Sequence, residues 1–447
     1  MNLLTNGRVI TRDEGGKGYY EKGAVAYEGT RIVEVGEEAA LRAKYPQAEI
    51  IDAKGGVIMP AFINAHTHIY SALARGLSIV GNNPTNFYEV LDGTWWAMDR
   101  KLTLAGTRAS ADALYIDCIK QGVTTIFDHH AAYCEIPGSL FQIGESAKKF
   151  GIRSCLCYEV SDRDGEEKCL QAIKENADWI TYCEQQKDPM LAAMFGGHAL
   201  FTISDKTFDR MVEANNGRTG YHIHVSEGMN DVYDSLQNYG RRPVQRLQDH
   251  GILGEKTILG HCIHVNTAEM DIIRETNTMV VNNPESNMGN AIGICPVLQL
   301  YKRGILLGMG TDAYTNDMLE SLKVALCSQR SQNCLPNVGW CEVTDMLFKN
   351  NAKIGARYFP DQLGVLKAGA AADIIVMDYK PFTPFSDENI DGHMIFGMTG
   401  RQCQTTIAAG KVLMKDRVLV NIDEEAENAH ILEAAKKLWG DLNHRVY

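Results

Sequence analysis

Between about residues 58 and 363 the chain repeats one rhythm, a short apolar β-rich run followed by a helical segment, eight times over. In order the runs are VIMPAFINAHTH, TTIFDHH, IRSCLCYEV, LAAMFGGH, GYHIHVSE, TILGHCIHV, TMVVNNPES and ILLGMGTDAY. Near-continuous Val/Ile/Leu/Met runs suit parallel strands covered on both faces. Strands alternating with helices make βαβ units, and eight of them over roughly 300 residues predict an α/β fold of the (β/α)8 TIM-barrel type, with insertions. An open doubly wound sheet is the competing arrangement, but no Gly-rich phosphate loop follows the first run. The longest insertion, from Leu77 to about Lys101, follows that run and carries Trp95 and Trp96.

The chain ends read differently. Residues 1–58 and 364–420 are strand-rich and punctuated by turn chemistry such as Glu28-Gly29 and Lys54-Gly55-Gly56. Each piece is too small to bury a good core alone. The economical arrangement is one flanking β-sandwich built from both ends, with the barrel (59–363) inserted between them. Residues 421–447 read as a terminal helix, with Asp423, Glu424 and Glu425 where the helix dipole favours anions.

A net charge of −12 and the lack of a basic stripe argue against nucleic acid as a partner. No apolar run approaches the roughly 20 residues of a membrane span, and the opening MNLLTNGRVITRDEGG lacks a signal-peptide pattern. A cytoplasmic location is the default, with the twelve cysteines reduced and mostly acting as small buried hydrophobes.

Almost every one of the eight runs ends in His, Asp, Glu or Asn, at the face where barrel enzymes build their active sites. Charges converging there are costly unless a metal or a reaction uses them. His66 and His68, two apart on a strand, share one face at a spacing of roughly 6–7 Å. His224 closes the fifth run and Asp312 the eighth. Three imidazoles and a carboxylate make a ligand set for one divalent ion, Zn²⁺ first and Fe²⁺ second. No lysine in the third or fourth run offers a bridge to a second metal, and Glu159 reads as a strand end or a supporting group. A catalytic metal lowers the pKa of its water toward 7, and attack on a trigonal carbon then needs a base and an acid. Asp312 is placed to take the water proton, His261 to hold the nucleophile, and Glu227, three residues past a ligand, to protonate a ring nitrogen. Trp95 could wall a planar ring. Of His129 and His130, which alternate on a strand, His130 is favoured to reach the pocket. Asn287 reads as a loop organiser.

MPAFINAHTH with Arg75-Gly76, HVSE, GHCIHV, NNPESNMG and GMGTDAY together resemble the amidohydrolase superfamily, in its single-metal branch of hydrolytic deaminases and chlorohydrolases. WWAMDR, FDHHAA and NNPESNMGNAIG look most like the SsnA-type aminohydrolases. The resemblance implies that His66, His68, His224 and Asp312 bind the metal and that Glu227 and His261 are the proton shuttle and orienting histidine. It also implies substrate contacts at His198 and Arg75, and a homodimer. His222 stands where the family usually has a tiny residue and could stack below the metal. The expected activity is therefore metal-dependent hydrolysis of a non-peptide C–N bond in a small heterocyclic substrate, by deamination of a purine-like ring. Ring opening of a cyclic amide or ureide is the first alternative, and a non-catalytic scaffold the second.

Overall fold

Eight parallel strands close into a barrel in the computed structural model, which describes residues 1–447. They are β1 (Phe62–Thr67), β2 (Val123–His130), β3 (Arg153–Tyr158), β4 (Leu191–Ala193 and Phe195–Ala199, broken at Met194), β5 (Tyr221–Val225), β6 (Ile258–His261), β7 (Met279–Asn282) and β8 (Leu307–Met309). Every residue of all eight is buried, as parallel strands wrapped in helices require. Neighbouring strands pair in register in two arcs, β1 to the first segment of β4 and the second segment of β4 to β8. Single bridges, Val160 to Gly197 and Thr67 to Asp312, complete the ring. At the second of these seams the His66 carbonyl accepts from the amides of Thr311 (2.9 Å) and Asp312 (3.0 Å). Gly310 permits that approach: a Cβ there would lie 2.7 Å from the Cβ of His66.

The two chain ends do combine, into a nine-stranded sheet beside the barrel. Its central strand, Asn2–Ile10, pairs antiparallel with Tyr19–Glu28 and parallel with both Glu49–Asp52 and Val57–Pro60. Val57–Pro60 in turn pairs with Ile374–Met377 from the far end of the chain. Only Ala61 separates Val57–Pro60 from β1, so the sheet hands the chain directly to the barrel. The sheet has its own apolar core, with Leu4, Val25, Ile58, Ile374 and Ile407 among its members. Helix Glu424–Asn443 follows, capped by Asp423 accepting from the amide of Ala426. It packs on helix Leu104–Gln121, and its Trp439 indole donates to the carbonyl of Leu73 in the helical turn Ile69–Ala74 after β1. All twelve cysteines are free, and no helix is long and apolar enough to cross a membrane.

One fully buried ion pair ties barrel to sheet. Arg153, at the start of β3, donates to Asp373 at 2.7 and 3.3 Å and to Asp361 at 3.3 Å. Asp373 directly precedes the strand Ile374–Met377. Removing one partner of such a pair strands a buried charge, which costs about 3–5 kcal/mol. Arg153→Met is therefore expected to lower the urea midpoint by that stability at unchanged slope. A shift under about 1 kcal/mol would show that the pair carries no such weight.

Candidate metal centre and catalytic cleft

The polar groups gather at the C-terminal mouth of the barrel because each strand delivers its last side chains there. β1 brings His66 and His68, β5 brings His224, β6 ends in His261, and Asp312 follows β8 by three residues. Asp312, His261 and Ser226 hold left-handed backbone, with φ of 55°, 69° and 50°. Non-glycine residues seldom adopt that conformation, and such strain concentrates where a site demands it.

The imidazole Nε2 atoms face one another. His68 Nε2 lies 2.9 Å from Asp312 Oδ1 and 3.2 Å from His224 Nε2, and His66 Nε2 lies 4.0 Å from the same carboxylate oxygen. Ligand atoms each about 2.0–2.2 Å from a tetrahedral ion sit roughly 3.3–3.6 Å apart, so this spread suits a single ion. The opposite ring nitrogens are already engaged. His68 Nδ1 donates to the carbonyl of His129 (2.5 Å), His224 Nδ1 to that of His198 (2.9 Å), and His66 Nδ1 meets His222 Nε2 at 2.7 Å. Such outer contacts fix which nitrogen is free to ligate. His66 Nε2 is buried without a hydrogen-bond partner, which is what a ligand atom looks like when the protein supplies nothing to it.

Electrostatics agree. Burial holds the imidazoles of His66 and His224 well below their ordinary range, neutral as ligation requires. His68 goes the other way. Burial opposes its charge, but the carboxylate of Asp312 outweighs that and lifts it to about 9, so this point of the site favours a positive charge. The donor set therefore fits one divalent cation.

Around the ligands lies a cavity of about 30 Å³ lined by, among others, Tyr70, Trp95, Glu159, His198, Glu227, His261 and Tyr314. Glu227 Oε1 is 3.6 Å from His261 Nε2, which lies 3.8 Å from Asp312 Oδ2. Burial, with Asp312, Asp231 and Glu159 nearby, pushes the Glu227 carboxyl well above its usual range, toward the protonated form. His261 Nδ1 donates to Asn287 Oδ1 at 2.7 Å, which leaves the Nε2 lone pair facing the cleft.

Of the other sequence-selected residues, His198 and Trp95 line the cavity. Arg75 does not line this cavity itself but borders an adjoining one of about 140 Å³ that shares Trp95, Asp312 and Tyr314 with it; it is mostly exposed and donates to Asp117 at 2.9 Å. His130 does not line the cleft either. It is fully buried between Tyr70 and Tyr158, with ring centroids 6.3 and 5.7 Å away. Alternation along β2 sends His129 inward instead, beneath the ligands, with its ring 4.4 Å from that of His224. Ser286, which donates to Asp312 Oδ2, escaped the sequence reading, although it lies inside NNPESNMG. Asn287 does organise its loop, donating from Nδ2 to Asn282 Oδ1 at 3.1 Å, and its Oδ1 ties that loop to the His261 imidazole. Trp96 lines the cavity as well, with its ring 5.8 Å from that of His198 and under the guanidinium of Arg163.

A (β/α)8 barrel carrying three histidines and an aspartate at its mouth, flanked by a sheet from both chain ends, defines a metallohydrolase of a recognisable class. The chain belongs to the amidohydrolase family, whose profile it matches over residues 57–413. It is 31% identical to a 5'-deoxyadenosine deaminase of Methanobrevibacter smithii, covering 90% of this chain and 91% of that one. It is also 31% identical to a 5-methylthioadenosine/S-adenosylhomocysteine deaminase of Thermococcus sibiricus, covering 92% and 93%. Its fold is similar to that of a zinc-bound adenosine deaminase from Xanthomonas campestris, with a TM-score of 0.82 at 22% identity and 98% of each chain covered.

Proposed function

We propose that this protein is a metal-dependent aminohydrolase that releases ammonia from a purine-like heterocycle. The observation that carries the reading is the junction of two sets of groups in one cleft. His66, His68, His224 and Asp312 would hold the ion, and Glu227 stands beside His261 and within the same cavity. The N₃O donor set supports zinc ahead of iron. An ion held there supplies Lewis acidity and activates water as a nucleophile at neutral pH. His261, its Nδ1–H fixed by Asn287, offers its Nε2 lone pair to orient the attacking water. Water adds to the amidine-like carbon, and Asp312 takes its proton. Glu227 gives a proton to the adjacent ring nitrogen, so that nitrogen accepts the electron pair of the C=N bond. The proton held by Asp312 then passes to the exocyclic amine, the C–N bond breaks as the proton of the added hydroxyl returns to Glu227, and ammonia leaves an oxo product. A carboxyl group between a ligand strand and the substrate is suited to this relay, as in zinc deaminases of unrelated fold.

The relatives named as deaminases of adenosine derivatives support a purine ring over a triazine. A homodimer is proposed on the family resemblance alone. The test is ammonia release by zinc-loaded protein across purines, purine nucleosides, pterins and triazines. Ammonia is expected from at least one aminopurine compound. Ring-opened product without ammonia would replace the reading by cyclic-amide hydrolysis.

A further inference from the structure

His222 sits on β5 two residues before His224, so both side chains turn into the barrel, with His222 one layer below the ligands. It is fully buried, and its ring lies 4.8 Å from that of His66 and 5.1 Å from that of His129. Burial keeps the ring neutral. One proton must lie in the 2.7 Å contact between His66 Nδ1 and His222 Nε2, and it can belong to either ring. If it belongs to His222, the neutral His66 ring carries its own proton on Nε2, which then offers no lone pair to an ion. If it belongs to His66, Nε2 is ready to ligate, and the proton of the neutral His222 ring is forced onto Nδ1. That Nδ1 is buried without a partner. The ligand-ready arrangement therefore strands an N–H donor inside the barrel, which is costly.

The other two imidazoles have no such choice. His68 and His224 donate from Nδ1 to the main-chain carbonyls of His129 and His198, and a carbonyl only accepts. Their Nε2 lone pairs are set whether or not an ion is present. His66 alone depends on a side chain that can accept or donate. Without an ion the reverse arrangement costs less. It leaves a bare lone pair on His222 Nδ1 rather than an orphaned N–H, and it turns the His66 Nε2–H toward the Asp312 carboxylate, 4.0 Å away.

We propose that His222 is a positioning residue that couples metal occupancy to the tautomer of His66, accepting the His66 Nδ1–H in the loaded protein and donating from Nε2 in the empty one. The inference rests on the metal site and is independent of the reaction performed there. His222 touches neither the ion nor the substrate in this scheme.

Nitrogen NMR of histidine-labelled protein reads the tautomers directly and needs no substitution. The His222 ring is expected to carry its proton on Nε2 without zinc and on Nδ1 with zinc. The same tautomer in both states would overturn the proposal. Two variants supply the energetic side. His222→Leu fills much of the space and removes the acceptor, whereas His222→Gln keeps an acceptor oxygen near the place of Nε2. Zinc affinity, by chelator competition, should fall ~10- to 100-fold in His222→Leu and stay within ~3-fold of the parent in His222→Gln. Equal losses in the two variants would reduce His222 to packing and overturn the proposal, as would parental affinity in His222→Leu. Parent protein that takes up no stoichiometric zinc would remove both the site and this role. Absence of ammonia from every aminopurine, with these differences intact, would end the aminohydrolase reading alone.

Discussion

Asp312→Asn is expected to lower metal affinity by more than ~100-fold, the upper end of what losing a mere supporting contact costs, and to abolish ammonia release. The carboxylate is the sole anion among the four converging ligand atoms, 2.9 Å from His68 Nε2. It is also the reason a buried imidazole there resists neutrality. Asparagine keeps the shape and removes the charge, so the fold should persist by circular dichroism while dialysed protein loses its metal by elemental analysis. His66→Ala should give the same pair of results by removing a ligand atom that nothing else in the protein engages. Stoichiometric metal and parental activity in either variant would mean that the ion, if bound, sits elsewhere.

Glu227→Gln separates proton relay from metal binding. The carboxyl lies 3.6 Å from His261 and outside the ligand set, so zinc should remain stoichiometric. General acid–base catalysis contributes about 10²–10⁴-fold, and kcat should fall by that factor. The sign of the pH dependence follows from the protonation state. Burial raises the Glu227 carboxyl, so the active, protonated form is present on the acid side and is lost as pH rises through the elevated value. The parent profile should therefore fall on its alkaline limb, and the Gln variant should lack that limb. Near-parental kcat in Glu227→Gln, with Asp312→Asn inactive, would favour ring opening, which makes no comparable demand on a ring-nitrogen proton.

The barrel and the polar cluster at its mouth were legible in the sequence for one reason. Parallel strands buried on both sides must be apolar throughout, so a polar residue ending such a run marks the mouth. That logic located His66, His68, His224, His261 and Asp312 on the correct rim without knowledge of the loops. It stumbled where side-chain direction depends on strand tilt and local packing. His130 looked like the inward member of its pair, yet the register of β2 against β3, with Asp128 opposite Leu156 and His130 opposite Tyr158, places His129 under the ligands. Arg75 was placed by resemblance, and a nearby acid on helix Leu104–Gln121 claims it. Ser286 was illegible as a supporting group because its partner, Asp312, lies 26 positions away. Periodicity carries no information about such meetings. The flanking sheet was readable as a union of both ends, but its order was not, since the pairing of Val57–Pro60 with Ile374–Met377 spans the whole barrel in sequence.

The ring of strands is held shut between its first and last members by two amides on one carbonyl and by the side chains of Asn64, Thr67 and Asn351, which reach across the same seam. His66 and His68 stand on one bank of that join and Asp312 on the other. An ion gripped by all three is thus a clasp as well as a reagent, and its binding energy is shared with the act of sealing the cylinder. Backbone exchange at Thr311 and Asp312 should therefore report metal occupancy more directly than any amide deeper in the wall.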